Sequence, residues 1–333
     1  MVYFFVVVLL IGMLGSIAFA ADEKWEIGLA SREILNDYDR GIIEGARQIV
    51  EAAGGSLIVA DGHDDVRKHI DNITNLITRG VKGIIVSLGD VEQLVSVFEK
   101  AQKAGIPVVT NSIGQTTPGA LCDVTGDDEF MTVVLARQLI TDIKAKGKVY
   151  IISPPGAPIL ETRVRIMKAF LSGYNGVQVA EVVPTQQSVA YTLNVMQNIL
   201  TANPNPGDIA AVFVTFDLIG SGAVQAIINA GREKDIKVYA IDGDEIGFQM
   251  LFDKEGPFRA TISQDVVQVG RICAEYLLKA MDGKADEVPY SANPDVALAS
   301  KTDLAFAVKR AKAKWGDDCL TRWGIDENTL LQK

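Results

Sequence analysis

The residues best able to contact a ligand occur in short polar runs along the chain. Carboxylates and amides exchange hydrogen bonds with hydroxyl pairs, arginine donates to ring oxygens, and an aromatic face packs on C–H groups. This mixture suits a neutral ligand with several hydroxyls. Two of the carboxylates, Asp217 and Asp244, precede helical segments and could simply be helix N-caps. The runs are Ser31-Arg32, Asn36-Asp37-Tyr38-Asp39, Asn111-Ser112, Phe216-Asp217, Asp242-Gly243-Asp244-Glu245 and Gln264-Asp265.

Most other chemistries lack the residues that they require. The 333 residues include two histidines and three cysteines, and no G-x-x-x-x-G-K-[ST], G-x-S-x-G or H-E-x-x-H motif occurs. Gly220-Ser221-Gly222 resembles a phosphate loop, but it lies inside a predicted helix, where helix packing is the better interpretation. The 32 Lys and Arg residues against 42 Asp and Glu residues give a net charge of −10 without a basic run. We therefore expect no metal, no cofactor and no nucleic-acid partner.

The polar runs follow short β-branched segments that alternate with amphipathic segments of helix length. Strands that are apolar throughout predict parallel sheets covered on both faces. Two successive sets of four strand–helix units predict an α/β fold of two doubly wound, Rossmann-like lobes. The predicted strands are Glu26–Ala30, Ser56–Asp61, Gly83–Leu88, Pro107–Ser112, Lys148–Ser153, Val177–Val183, Ile209–Thr215 and Lys237–Asp242.

Three further segments, Leu121–Val124, Ala260–Ser263 and Val296–Ser300, fall where the chain would pass between the lobes. They predict a three-strand hinge, with a ligand cleft at the carboxyl ends of the strands. The resulting division is a leader at 1–20, a first lobe of 21–124 with 265–295, and a second lobe of 125–264 with 296–333.

The first twenty residues carry no charge and end in Ala18-Phe19-Ala20. This pattern predicts a secretory signal peptide cleaved after Ala20, and an uncleaved membrane anchor is the alternative. The run lacks the Lys or Arg with which a signal peptide usually begins. Export would place the three cysteines in an oxidising compartment. Cys273 falls in a strongly helical stretch typical of the core, so Cys122 and Cys319 form the candidate disulfide.

Three segments of the chain carry a family resemblance: Ala104-Gly105-Ile106-Pro107-Val108-Val109, Leu193-Asn194-Val195-Met196-Gln197-Asn198 with Leu200, Ala202, Asn203 and Pro204, and Ala260-Thr261-Ile262-Ser263-Gln264. Together they resemble type I periplasmic solute-binding proteins of the ribose-binding group, which are related to the effector domains of lac-repressor-like regulators. The resemblance covers nearly all of the chain after the leader. It implies a protein that closes two lobes around a small ligand, usually a sugar, and delivers it to an ABC permease.

The resemblance also implies individual ligand contacts. By position it assigns ligand contacts to Asn36 after the first strand, to Tyr38 as a stacking aromatic, and to either Arg163 or Arg165 at the start of a second-lobe helix. Asp217 after Phe216, the carboxylate of Asp242 and the amide of Gln264 complete the matched set: Asn36, Tyr38, Arg163 or Arg165, Phe216, Asp217, Asp242 and Gln264.

Four places depart from the family pattern. Asp39 stands where a second aromatic is usual, and Asn111-Ser112-Ile113 replaces a common Asp-Arg pair. Gln187 takes an often aromatic position, and Arg32 adds a charge near the mouth of the cleft. With less stacking and more acceptors, a polyol, a small or open-chain sugar or an amino sugar fits at least as well as a flat pyranose.

The leading hypothesis is a monomeric periplasmic sugar or polyol receptor without chemistry of its own. Its partners would be the membrane subunits of an ABC permease, and whether a chemoreceptor also binds it is left open. The alternative is an exported carbohydrate-active enzyme that uses paired carboxylates, Asp242 with Asp217 or Asp39. A third hypothesis, the effector half of a repressor, is disfavoured by the apolar leader and by the lack of a helix-turn-helix before the lobes.

Overall fold

The structure is a computed structural model of the chain, and it describes residues 24–35 and 37–332. The predicted signal peptide and the predicted site residue Asn36 lie outside these residues. Within them, no helix combines the length and the apolar character needed to cross a membrane.

Within the described residues the chain forms twelve strands and twelve α-helices. The strands are β1 (Glu26–Ser31), β2 (Ser56–Asp61), β3 (Gly83–Ser87), β4 (Val108–Asn111), β5 (Cys122–Val124), β6 (Gly147–Ser153), β7 (Val177–Pro184), β8 (Ala211–Val214), β9 (Lys237–Asp242), β10 (Phe258–Gln264), β11 (Ser291–Ala292) and β12 (Val296–Ser300). The helices are α1 (Asp37–Ala52), α2 (Val66–Arg79), α3 (Val91–Lys103), α4 (Asp128–Asp142), α5 (Pro158–Leu171), α6 (Val189–Ala202), α7 (Asp217–Asn229), α8 (Glu245–Phe252), α9 (Val266–Met281), α10 (Leu304–Trp315), α11 (Cys319–Arg322) and α12 (Glu327–Leu331).

The strands form two six-stranded sheets, one in each lobe. The first has the order β11-β5-β4-β3-β1-β2, and all of its pairings are parallel. The second has the order β12-β10-β9-β8-β6-β7, in which only β12 runs antiparallel to its neighbour. The predicted α/β fold of two doubly wound lobes is confirmed.

Each sheet has an apolar core on both faces, and its inner strands, such as β3 and β8, are buried along their whole length. Successive side chains of a strand point to opposite faces. In β1, Ile27 and Leu29 enter one apolar cluster, whereas Ala30 enters the cluster on the other face. In β6, Ile151 and Ile152 divide between two clusters in the same way. Each lobe therefore has two cores separated by its sheet.

Glycines let two pairs of helices approach closely. A Cβ on Gly222 of α7 would lie 2.2 Å from the carbonyl oxygen of Val189 in α6. This confirms that Gly220-Ser221-Gly222 serves helix packing. A Cβ on Gly270 of α9 would lie 2.0 Å from the Ile42 oxygen of α1. Because α9 follows β10 of the second sheet, this contact anchors the returning chain on the first lobe.

The chain passes between the sheets after β5, after β10 and between β11 and β12. The three connections lie together. Asp265 N donates to Asp295 O over 3.1 Å, and a Cβ on Gly126 would lie 2.3 Å from Gln264 Oε1. All three predicted crossing segments are themselves sheet strands: Leu121–Val124 contains β5, Ala260–Ser263 lies in β10 and Val296–Ser300 is β12. The connections between the lobes therefore follow the first two segments and precede the third.

The candidate disulfide is wrong, because all three cysteines are free and buried. Cys122 lies in a core of the first lobe beside the cluster residue Cys273, whereas Cys319 lies in a core of the second lobe. Two thiols in the interiors of different lobes cannot be bridged without large backbone movement. The expectation that Cys273 is a core residue is confirmed.

Helices α10 to α12, for which the sequence analysis predicts no element, pack on the second lobe. Ala307, Ala311 and Leu330 join one of its cores. The ring of Trp315 meets that of Phe248 edge-on, with centroids 5.2 Å apart. The C-terminal segment is thereby tied to α8, beside the loop that leaves β9.

Candidate functional site

A cavity of about 620 Å³ lies between the lobes and is lined by residues of both. Its walls come from segments that follow the carboxyl ends of strands, as expected for open α/β sheets. The first lobe contributes the loop after β1, the start of α1 and the loops after β3 and β4. The second contributes the end of β9, Phe216 and the loops after β6 and β7.

Arg163 is the central charged residue of the cavity wall, and it is only 3% exposed. Its Nε donates to Asp128 Oδ1 over 2.6 Å, and Nη1 donates to Thr215 O over 2.8 Å and to Asp242 Oδ1 over 3.2 Å. Burial lowers the pKa of Arg163, but Asp128 and Asp242 outweigh it and raise that pKa overall. The guanidinium is thus a fixed cation at the cleft.

Asp242 ends β9, and its carboxylate is held by two donors. Oδ1 accepts from Arg163 and, over 3.2 Å, from Gln264 Nε2. Among the described residues, Oδ2 receives no hydrogen bond, and the residue lines the cavity. The φ of Asp242 is 122°, a conformation that residues with a side chain rarely adopt and that often marks binding sites. Burial raises the pKa of this carboxyl, and Arg163 opposes that rise.

Tyr38 and Ser112 place two neighbouring hydroxyl groups on the first-lobe wall. Their hydroxyl oxygens are 2.7 Å apart. Ser112 has a φ of 57°, and its backbone N–H donates to Thr125 Oγ1 over 2.8 Å, which fixes the loop after β4. Burial raises the pKa of Tyr38, so its phenol stays neutral and able to donate.

Between the described residues, a side-chain hydrogen bond joins the lobes at the mouth of the cleft. Gln187 Nε2, in the loop after β7, donates to Glu33 Oε1, in the loop after β1, over 2.8 Å. Burial raises the pKa of Glu33, and the neighbouring Asp64 raises it further. Asp64 itself pairs with Arg32 over 2.9 Å.

The structure brings eight of the predicted site residues to the cavity wall. Among them Asp39 accepts from Leu35 N over 2.8 Å, so its carboxylate also shapes the loop before α1. The lining residues are Arg32, Tyr38, Asp39, Ser112, Arg163, Gln187, Phe216 and Asp242.

Four predicted residues do not line the cavity. Asn111 is buried and accepts from Ser87 and Ser112, while Gln264 is buried and touches Asp242 instead. Arg165 faces outward, where it pairs with the equally exposed Glu129. Of the two arginines between which the sequence could not choose, Arg163 is therefore the one at the cleft.

Asp217 is the fourth and lies fully buried behind the cavity wall. Its Oδ2 accepts from Thr261 Oγ1 over 2.9 Å and from Asp244 N over 3.2 Å, and its Oδ1 has no partner among the described residues. Burial raises the pKa of Asp217 well above its usual range. Asp244 caps α8 by accepting from Gly247 N over 2.8 Å.

Sequence reasoning missed one wall of the cavity. The loop after β6 contributes Pro154, Pro155 and Ala157, and the start of α5 contributes Pro158 and Ile159. This wall is apolar. The sequence analysis selected only polar residues that follow strands, so it did not include these apolar ones. Glu33 was also missed, although it lies between two predicted residues of the loop after β1.

Comparisons with known proteins agree with this architecture. Residues 27–285 match the family model described as the periplasmic binding protein domain. The ribose import binding protein of Salmonella typhimurium is 27% identical over 277 residues, covering 80% of this chain and 88% of that protein. A sugar transporter subunit from Rhodobacter sphaeroides superposes with a TM-score of 0.78 at 26% identity, covering 84% of this chain and 98% of the other.

A periplasmic solute-binding protein of an ABC transporter from Actinobacillus succinogenes, solved with bound D-allose, superposes with a TM-score of 0.77. It is 26% identical and covers 85% of this chain and 100% of its own. The two parallel-sheet lobes, the cavity between them and the match over residues 27–285 lead to one conclusion: the chain belongs to the periplasmic binding protein family.

Proposed function

We propose that this protein binds a small sugar or polyol between its lobes and delivers it to the membrane subunits of an ABC importer. The observation that carries the proposal is the Arg163–Asp242 pair. Its members hold each other over 3.2 Å, and Asp242 Oδ2 receives no hydrogen bond from the described residues. A carboxylate oxygen of this kind is a strong acceptor for ligand hydroxyls.

The apolar lining of the cavity supports the same class of ligand. Pro158, Ile159 and Phe216 present apolar surface to the cavity, which suits the C–H face of a sugar or polyol. The polar lining includes Asp242, Arg163 and the Tyr38–Ser112 hydroxyl pair. Relatives that bind ribose and D-allose, by their names, agree with a ligand of this kind.

Ligand binding and lobe closure would be one equilibrium, because the ligand touches both walls. We place the lobe boundaries at 124/125, 264/265 and 295/296, where the chain passes between the sheets. The three adjacent connections would act as the hinge. The Glu33–Gln187 hydrogen bond, which spans the mouth, would favour the closed state.

The protein would act as a monomer in the periplasm after cleavage behind Ala20. We propose binding without turnover. Asp217 does not line the cavity, and one oxygen of Asp242 is already bound to Arg163 and Gln264, so the Asp242–Asp217 pair is poorly suited to acid–base work. Asp39 does line the cavity, and release of an altered ligand would favour an enzyme that uses Asp242 with Asp39.

A thermal-shift screen tests the function directly. The panel contains D-ribose, D-allose, allitol, glycerol and an amino sugar, and calorimetry follows each stabilising compound. A ligand at a hundred times its Kd should stabilise by about 2.7 kcal/mol. Mass spectrometry should find the bound compound unchanged after release. No stabilisation by any sugar or polyol would contradict the proposal, and an altered compound would favour the enzyme.

A further inference from the structure

Lys314 lies beside the ligand cavity although it comes from the C-terminal segment. It is near the end of α10, beyond the residues 27–285 that the family model matches. Its Nζ donates to Gly243 O over 2.7 Å and to Gln264 O over 3.2 Å. Gly243 directly follows Asp242, and Gln264 donates to the carboxylate of Asp242. A single ammonium group therefore joins the two backbone segments that set the position of Asp242.

The backbone at this point is closely packed. Gly243 has a φ of 59°, and a Cβ there would lie 2.3 Å from Ser263 Cα in β10. Lys314 is itself held in place, because its Nζ lies 4.9 Å from the ring centroid of Trp315. Trp315 in turn packs on Phe248 of α8. The contact is thus tied to the helices that pack on the second lobe.

The charges around Lys314 give it a second effect. Burial lowers the pKa of the lysine, and the surrounding carboxylates oppose this. Conversely, Lys314 counteracts the rise that burial causes in the pKa of Asp242 and in that of Asp244. The groups that act on Asp242 or Lys314 are Tyr38 from α1, Asp128 from α4, Arg163 from α5, Asp217 from α7, Asp244 before α8, and Asp265 before α9.

We propose that Lys314 is a positioning residue of the ligand site, which holds the Gly243 and Gln264 backbone and supplies a positive charge beside Asp242. The inference rests on the proposed function. It makes the C-terminal helices part of the binding machinery, because without them the Asp242 carboxylate would lose a cation and its loop would lose an anchor.

The test compares Lys314→Met, which removes charge and donors, with Lys314→Arg, which keeps both. Lys309→Met, at an exposed position of the same helix, is the matched control. The probe is whichever of D-ribose, D-allose, allitol, glycerol and the amino sugar wild-type protein binds most tightly. We expect Lys314→Met to weaken binding at least tenfold, and to weaken it by less as pH rises, because carboxyl groups ionise without help at higher pH.

Lys314→Arg should recover most of the affinity, and Lys309→Met should bind normally. Two results would overturn the proposal: affinity within threefold of wild type, or a loss that is independent of pH and not rescued by arginine. Should Lys314→Met fail to fold, Lys314→Gln takes its place, since it keeps donors but no charge.

A measurement on ligand-free protein separates this inference from the proposed function. Carbon-13 NMR of the aspartate carboxyl groups should show Asp242 and Asp244 titrating at higher pH in Lys314→Met than in wild type. If the wild-type protein binds none of the probes, the proposed function fails while this titration still decides the role of the Lys314 charge. Unchanged titrations would overturn that role.

Discussion

Arg163 Nη1 donates to Asp242 Oδ1 over 3.2 Å and thereby joins helix α5 to the end of β9 at the wall of the cleft. Asp128 holds the other side of the same guanidinium over 2.6 Å. A buried cation between two carboxylates keeps its geometry whether or not a ligand is present. Moving any one of the three groups away would leave an unpaired charge buried in the protein. The site is therefore largely preorganised on the second lobe.

Asp242→Asn should weaken sugar or polyol binding at least a hundredfold, about 2.7 kcal/mol. The amide keeps the shape of the side chain but loses the charge that strengthens hydrogen bonds to ligand hydroxyls. Because the pKa of Asp242 is raised in the folded protein, a neutral amide there should not lower the free energy of unfolding of the ligand-free protein at neutral pH. Calorimetric titration and chemical denaturation measure affinity and stability. Normal affinity with reduced stability would leave Asp242 a purely structural residue.

Arg163→Lys and Arg165→Lys form a matched pair on one helix. Lysine cannot reproduce the forked donation of Arg163 to Asp128, Thr215 and Asp242, so affinity should fall at least tenfold, about 1.4 kcal/mol. Arg165 forms an exposed pair with Glu129, and exposed pairs contribute about 0–1 kcal/mol at most. Equal effects of the two substitutions on the Kd would refute the assignment of Arg163 to the cleft.

The hydrogen bond between Glu33 and Gln187 should stabilise the ligand-bound, closed form. Glu33→Ala and Gln187→Ala are each expected to weaken binding several-fold, and the double variant should be no weaker than either single one. The coupling free energy should be about 0.5–1.5 kcal/mol, typical of one hydrogen bond. A double-mutant cycle on the Kd provides the measurement. Strictly additive losses would show that the two side chains act separately.

The stability of the ligand-free protein should decrease as pH rises, because of Asp244. Burial raises the pKa of its carboxyl to about 7, and nearby Asp242 also raises it. In the unfolded chain the pKa is about 3.9, so the folded state binds the proton more tightly. The resulting stabilisation is complete below about pH 4 and is lost as pH rises through about 7.

Asp244→Asn keeps the cap on Gly247 N but cannot ionise. The variant should lose this part of the pH dependence and exceed wild type in stability above about pH 7.5, by on the order of 2 kcal/mol. Asp90→Asn, at the half-buried N-cap of α3, is the matched N-cap control. Chemical denaturation at several pH values provides the data, and parallel curves for Asp244→Asn and wild type would disprove the role of Asp244.

Much of the fold was predictable because local patterns specify it. Buried parallel strands need continuous apolar segments, and β2 and β9 begin and end where the sequence places them. The rule that ligands bind at the carboxyl ends of such strands then located Tyr38, Ser112 and Asp242 at the cavity wall.

The sequence by itself thus determined two lobes, a cleft and the approximate set of residues beside it. Only the tertiary structure decided which side of a helix or loop meets the cleft. Arg163 and Arg165 are two residues apart on α5, so roughly half a turn separates them, and packing places one at the cavity and the other in solvent. Packing likewise buried Asp217 behind the wall, placed Cys122 and Cys319 in different lobes, and brought Lys314 to the loop after Asp242. Contacts between residues distant in sequence depend on how complete elements pack, and local spacing does not contain that information.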